Sequence, residues 1–113
     1  LDNGTDPGAS WKQPGFADGA WKEGPAQLGY GDGDEATTVS FGPNGSAKYV
    51  TTYFRRAFSV AEPASFGSLR VRLQRDDGAV VYLNGTEVFR SNMPGGTVGY
   101  RTYASSALGG NDE

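Results

Sequence analysis

Short apolar runs, separated by turn-forming residues, dominate the pattern of hydrophobic and polar positions. Residues 49–60 are rich in aromatic and β-branched side chains and predict one long strand, which a Glu-Pro pair ends. In residues 69–73, Leu and Val alternate with Arg, which is typical of a half-buried strand. Residues 98–103 form a weaker strand candidate. No segment repeats its apolar positions with a helical period, so we predict no long helix and at most a single turn near residues 18–21.

Asn84 and Gly85 separate two further apolar runs, at 79–83 and 86–90. This dipeptide predicts a β-hairpin with a type I′ turn, because both turn residues need a positive φ. The register that follows pairs Leu83 with Thr86, Tyr82 with Glu87, Val81 with Val88, and Val80 with Phe89. Both faces of the hairpin then carry apolar side chains, so we expect it to lie buried between two layers.

The remaining organisation predicts an all-β fold in one domain, over residues 1–113. Gly, Pro, Asn and Asp cluster through residues 1–47 and indicate loops. The connections between the predicted strands are too short for crossover helices, so we expect antiparallel pairing. A β-sandwich usually has ~7–8 strands, and about five are visible here. We therefore expect an incomplete antiparallel β-sandwich, with C-terminal strands missing and supplied by a second chain or a neighbouring domain.

Composition excludes several classes of function. The chain has no Cys and no His, which removes disulfides, thiolate zinc sites and Ser-His-Asp triads, so we expect no enzyme. Its net charge of −3 opposes binding to nucleic acid, and no apolar run approaches the ~20 residues of a membrane span. No signal-peptide pattern opens the sequence, which fits a mature fragment, an excised domain or a chain that is not secreted.

Two segments carry a resemblance to a known family. In residues 53–60, two arginines lie between aromatic residues, and residues 77–85 form an Asp-led strand that ends in Tyr-Leu-Asn-Gly. Both resemble the galactose-binding-domain-like β-sandwich, a jelly roll found in the sugar-binding domains of β-galactosidase and β-glucuronidase relatives. Residues 16–21 resemble an early Phe-Asp-x-x-x-Trp segment of those domains. Over residues 11–108, the chain is similar to accessory modules of large secreted bacterial proteins.

The resemblance implies a secreted, extracellular, non-catalytic module that binds carbohydrate through loops at one end of the sandwich. Aromatic stacking and a few hydrogen bonds recognise such ligands. The expected contact residues are Tyr30, Asp32, Arg90, Asn92 and Tyr100. For the two tyrosines, anchoring of their own loops is the alternative role. The alternative function is a structural or protein-interaction module that docks or spaces a neighbouring catalytic domain, or pairs with a second chain.

Asp32, Asp34 and Glu35 place three carboxylates close together in one Gly-rich loop. Calcium takes 6–8 oxygen ligands, and loops of this kind supply them, so these residues are the candidate ligands of a structural calcium ion. The spacing does not match an EF-hand, and a solvated turn is the other interpretation.

Four more side chains have an expected structural role. We expect Trp21 to belong to the core, whereas Trp11 fits either the core or a sugar-stacking platform. Arg55 and Arg56 are neighbours on a predicted strand and therefore face opposite sides. One of them is expected to form a partly buried ion pair with an aspartate such as Asp77.

Overall fold

The computed structural model describes residues 1–108, in which short strands and two 3₁₀ turns are joined by loops. The strands are β1 (Leu28–Gly29), β2 (Thr37–Thr38), β3 (Ala79–Leu83) and β4 (Thr86–Ser91), and the 3₁₀ turns are Ala9–Lys12 and Pro63–Ser65. Over these residues the prediction of no long helix is confirmed, and no helical segment has the length and apolar character to cross a membrane. The described part of the chain is therefore mostly non-helical, with a few short strands in two small sheets.

The predicted hairpin is present as the antiparallel pair β3–β4. Asn84 and Gly85 have φ values of 49° and 84°, as a type I′ turn requires. Next to the turn, the predicted pairs Leu83–Thr86 and Tyr82–Glu87 are confirmed. The Asn-Gly dipeptide therefore determines both the turn and the first part of the register.

Farther from the turn, the predicted register is wrong by one residue. A bulge interrupts the ladder between Val81 and Tyr82, so Val81 pairs with Phe89 and Val80 pairs with Arg90. Val88 becomes the extra residue on β4, which is what a bulge produces. Val88 and Phe89 are 55% and 50% exposed, so residues 1–108 do not bury both faces of the hairpin.

The sheet formed by β1 and β2 is parallel, and this corrects the expectation that all strands pair antiparallel. Only two residues of each strand pair, Leu28 with Thr37 and Gly29 with Thr38. The connecting loop folds tightly, because both carboxylate oxygens of Glu35 accept backbone N–H groups within the loop. The short loop therefore brings β2 alongside β1 in the same direction, without a crossover helix.

The strands predicted at 49–60, 69–73 and 98–103 are not formed within the described residues. The first segment makes isolated bonds instead: Tyr49 N donates to Phe41 O at 2.8 Å, and Tyr53 N donates to Leu1 O at 3.0 Å. Residues 99–102 close a turn, because Thr102 N donates to Gly99 O at 3.0 Å. Strand propensity alone is insufficient here, since a sheet also needs a partner strand in register.

An aromatic cluster forms the centre of the small core. Tyr53 is 7% exposed and is the most deeply buried apolar side chain in residues 1–108. Trp11 contacts its ring edge-on, with centroids 4.9 Å apart, and contacts Tyr82 at 5.7 Å. Tyr100 stacks on the Tyr53 ring at 6.4 Å. The structure thus packs Trp11 and Tyr100 against core rings.

Candidate functional site

Two segments, 54–60 and 66–73, expose large apolar side chains, and we call them the exposed apolar segments. Their large apolar residues are 43–63% exposed: Phe54, Phe58, Val60, Phe66, Leu69, Val71 and Leu73. Monomeric soluble proteins rarely leave large apolar patches in water, and those that remain commonly mark contact sites for other molecules. These segments are therefore the first candidate for a functional surface.

The exposed apolar segments are also basic. Arg56, Arg70 and Arg72 lie within them and are exposed, and neither segment contains Asp or Glu. The whole chain, in contrast, has 13 acidic and 10 basic residues. Positive charge is therefore concentrated beside exposed apolar groups on an otherwise acidic protein.

The total surface agrees with this local picture. The chain exposes 8460 Å², whereas a compact monomer of its mass exposes about 5,900 Å², an excess of about 2,500 Å². Its radius of gyration is 15.0 Å, compared with about 13 Å for a compact domain of this length. The molecule therefore leaves exposed an area comparable with a large protein–protein interface.

Arg55 lies next to the exposed Arg56 but is itself held by contacts within the fold. Its guanidinium donates to Gln13 O at 2.9 Å and to Phe16 O at 3.2 Å, and it pairs with the Asp18 carboxylate. It also lies over the Phe16 ring, 5.3 Å from the centroid. The predicted partly buried ion pair is present, although its acidic partner is Asp18 and not Asp77.

The expected contact residue Arg90 is also held by the protein itself. Its Nε and Nη2 donate to the two carboxylate oxygens of Glu87, at 2.5 and 3.0 Å. Its Nη1 donates to Pro94 O at 2.5 Å and to Gly96 O at 2.9 Å. The hydrogen bond from Arg90 lowers the pKa of Glu87. Arg90 thus fixes the loop that follows β4.

Asn92, in the loop that follows β4, connects this loop to two other parts of the chain. Its Nδ2 donates to Asp77 O at 3.0 Å and to Ser106 O at 2.7 Å, and its Oδ1 accepts a bond from Ser106 Oγ at 3.0 Å. Its φ of 51° places it in the left-handed region, which asparagine tolerates. Asp77 Oδ1 in turn accepts Leu108 N at 2.7 Å. These bonds join three separate loops.

An open groove of about 390 Å³ lies beside the hairpin and contains one of the five expected contact residues, Arg90. Lys12, Tyr82 and Glu87 line it as well, and Lys12 Nζ lies 4.6 Å from the Tyr82 ring centroid. Sequence reasoning missed Lys12 and Tyr82 as groove residues. The predicted pairing of Tyr82 with Glu87 was the available signal, because it placed an aromatic ring beside an ionised group.

The acidic loop brings its three predicted metal ligands together. Carboxylate oxygens of Asp32, Asp34 and Glu35 lie within 4.8 Å of one another. Hydrogen bonds from the backbone N–H groups of Glu35 itself, Asp32 and Gly33 lower the pKa of Glu35. The carboxylate therefore has a structural role in the loop, and calcium binding stays a prediction.

Tyr30 packs next to this loop. Its ring centroid lies 5.3 Å from that of Phe41, and Lys48 Nζ lies 5.2 Å from the Tyr30 centroid. Trp21, the other aromatic residue expected in the core, is half-buried and contacts Phe16 edge-on at 5.6 Å. The residues expected to bind carbohydrate are thus distributed among different local contacts: Tyr30 with Phe41, Arg90 with Glu87, and Tyr100 with Tyr53.

Comparison of the chain with models of protein families, with curated proteins and with solved structures finds no match. The likeness to galactose-binding-like domains therefore remains an expectation from the sequence.

Proposed function

We propose that this chain is a non-catalytic protein-interaction module, and that the exposed apolar segments dock a neighbouring polypeptide. The observation that carries this proposal is the excess of exposed surface, about 2,500 Å² above that of a compact monomer. Burial of apolar area at about 25 cal/mol per Å² is the main favourable contribution to such docking. The function is therefore to hold another polypeptide in place.

The lack of sheet pairing in these segments supports the same function. Residues 54–60 and 66–73 belong to no sheet in the described part of the chain. A partner that pairs with them adds strands to a fold that has only two small sheets of its own. In this proposal, the docked polypeptide completes the second layer of the antiparallel β-sandwich.

Selection from a displayed library of random peptides tests the docking function. The wild-type chain is expected to enrich peptides, and the double variant Phe58→Ser, Val71→Ser is expected to lose them, because both side chains are more than half exposed. Tyr103→Ser is the matched control, since Tyr103 is 72% exposed but lies outside the two segments. Failure to enrich any peptide, or enrichment that the double variant retains, contradicts the proposal.

Carbohydrate binding at the groove is the second candidate function. The groove of about 390 Å³ combines the Tyr82 ring with the ionised groups of Lys12, Glu87 and Arg90. An aromatic ring beside a few polar groups suits a sugar, whose faces are apolar and whose edges carry hydroxyls. The expected single-site affinity is ~10⁻³ to 10⁻⁵ M, with useful strength from multivalency.

Titration against a glycan panel tests this second function. Binding is expected to weaken in Glu87→Gln, because the groove then loses a carboxylate and the ion pair that positions Arg90. Glu23→Gln is the control, since it makes the same change at an exposed position that does not line the groove. Absence of binding to any glycan at millimolar concentration rejects the carbohydrate function and leaves the docking function unaffected.

A further inference from the structure

On the basis of the proposed docking function, we propose that residues 67–73 receive an added β-strand from a different polypeptide, and that this strand carries acidic side chains at alternate positions. Three features of the segment lead to this partner: its backbone, its charge pattern and its like-charge conflict with a second copy.

The backbone of residues 67–73 is available for strand addition. Within residues 1–108 the segment belongs to no sheet, and it makes no backbone hydrogen bond to another described residue. Every residue in it is exposed. An exposed edge of unpaired N–H and C=O groups is a template for pairing with an extended peptide, and main-chain bonds then supply much of the affinity.

The side chains of the segment define the partner's pattern. Leu69, Val71 and Leu73 alternate with Arg70 and Arg72, so an extended conformation places apolar groups on one face and guanidinium groups on the other. Residues directly opposite each other in a sheet interact, and opposite charges favour pairing. A partner strand that alternates apolar and acidic residues packs apolar groups against the apolar face and places carboxylates opposite the guanidinium groups.

A second copy of this chain does not fit the same edge. Antiparallel pairing of the segment with itself about Val71 places Arg70 opposite Arg72, and parallel pairing in register places each Arg opposite its equivalent. Like charges directly opposite each other destabilise a sheet. A shift of one residue relieves this conflict but brings apolar and arginine side chains onto the same face. Charge therefore favours a different polypeptide over a homodimer.

Two short synthetic peptides provide the direct test, one alternating Val with Glu and one alternating Val with Lys. Each is labelled with a fluorophore, and its binding to the full chain is followed by anisotropy. The chain is used as wild type, as the double charge-reversal variant Arg70→Glu, Arg72→Glu, and as Arg101→Glu. The last variant is the matched control, because Arg101 is exposed and lies outside the exposed apolar segments.

The wild type is expected to bind the glutamate peptide about tenfold or more tightly than the lysine peptide, because two charge pairs change sign. The double variant is expected to reverse this preference, and Arg101→Glu is expected to keep it. Equal binding of both peptides, or a preference that the double variant retains, overturns the inference. Sedimentation that shows a dimer which disappears in the double variant also overturns it, in favour of a second copy.

These outcomes are separate from failure of the docking function itself. If the displayed library enriches peptides that need Phe58 and Val71 but show no acidic alternation, the chain docks polypeptides and the strand inference is wrong. If the library enriches nothing and neither synthetic peptide binds, both proposals are wrong.

Discussion

Single polar side chains hold the loops of this protein together where the aromatic core does not reach. Arg55 joins Gln13, Phe16 and Asp18, and Asn92 joins the loops at Asp77 and Ser106. Each of the two side chains donates hydrogen bonds to two backbone carbonyl groups. Their loss is therefore expected to lower stability even though few apolar groups move.

Replacing Arg55 by Lys is expected to lower the free energy of unfolding by about 2 kcal/mol, because an ammonium group cannot make the forked contacts of a guanidinium. Urea denaturation measures the change. Arg56→Lys is the control: Arg56 is the exposed neighbour and is expected to change stability by less than about 0.5 kcal/mol. Equal effects of the two variants contradict the structural role of Arg55.

Replacing Asn92 by Asp keeps the shape of the side chain but removes the Nδ2 donor, which bonds to Asp77 O and Ser106 O. The expected loss of stability is about 2 kcal/mol, since two carbonyls then face a carboxylate. In the control Asn44→Asp, the side-chain oxygen still accepts Ser46 N, so stability is expected to stay near wild type. Urea denaturation measures both variants. Similar midpoints for Asn92→Asp and Asn44→Asp would contradict the structural role of Asn92.

Burial, followed by the nearby Asp6, Tyr100 and Tyr82, raises the pKa of Tyr53 to about 12. In the unfolded chain a tyrosine ionises near pH 10, so between about pH 10 and 12 the unfolded state releases this proton first. The stability due to neutral Tyr53 is therefore present below about pH 10 and is lost as pH rises towards 12. Urea denaturation between about pH 10 and 12 is expected to show a free energy of unfolding that falls with pH, and to fall less in Tyr53→Phe. An equal fall in this variant contradicts the role of Tyr53.

At the scale of elements, the sequence predicts local features well and long-range pairing poorly. Asn84 and Gly85 have dihedral preferences that select one turn, so the hairpin and its first two pairs follow from the sequence. The bulge at Val88 does not, because it depends on the competition between alternative ladders over the whole sheet. The alternation in 69–73 predicts a strand, but pairing needs a partner segment that local propensity does not specify.

Glycines in the hairpin turn and in the loop after β4 separate two causes of strain, a positive φ and a steric clash. Gly85 has a φ of 84°, and an added Cβ there lies 2.6 Å from the Gln13 side chain; Gly96 has a φ of 82° with open space around it. Gly95 has open space and no positive φ. Replacement by Ala is expected to cost about 1–2 kcal/mol at Gly85, about 1 kcal/mol at Gly96 and nearly nothing at Gly95. Thermal denaturation ranks the three alanine variants. A large loss of stability in Gly95→Ala contradicts the claim that positive φ and steric clash determine the cost.

The sequence predicts clusters of neighbouring side chains in the candidate sites, but not contacts between distant loops. It predicts the acidic loop, whose three carboxylates do lie together, because they are neighbours along the chain. It does not predict that Arg90 and Asn92 are occupied by hydrogen bonds within the protein, since their partners lie in loops whose course depends on tertiary packing. Local clusters are therefore more accessible to sequence reasoning than contacts between loops.

At the scale of the whole molecule, excess surface and a small core have the same origin. One aromatic cluster around Tyr53 is the packed centre, whereas segments 54–60 and 66–73 keep their apolar groups in water. Folding leaves about 2,500 Å² more surface than a compact monomer of this mass. In the proposed function, a docked polypeptide covers these segments and removes part of this excess from water.

Amide hydrogen exchange of residues 54–60 and 67–73, with and without the Val-Glu peptide, measures whether a peptide pairs with the backbone of residues 67–73. Exposed amides that make no hydrogen bond exchange quickly, whereas amides hydrogen-bonded in a β-ladder are protected. We predict rapid exchange in the free chain and clear protection of residues 67–73 when the peptide binds, while the hairpin β3–β4 stays protected throughout. Slow exchange of both segments in the free chain, or no gain of protection when the peptide binds, would contradict strand addition at residues 67–73.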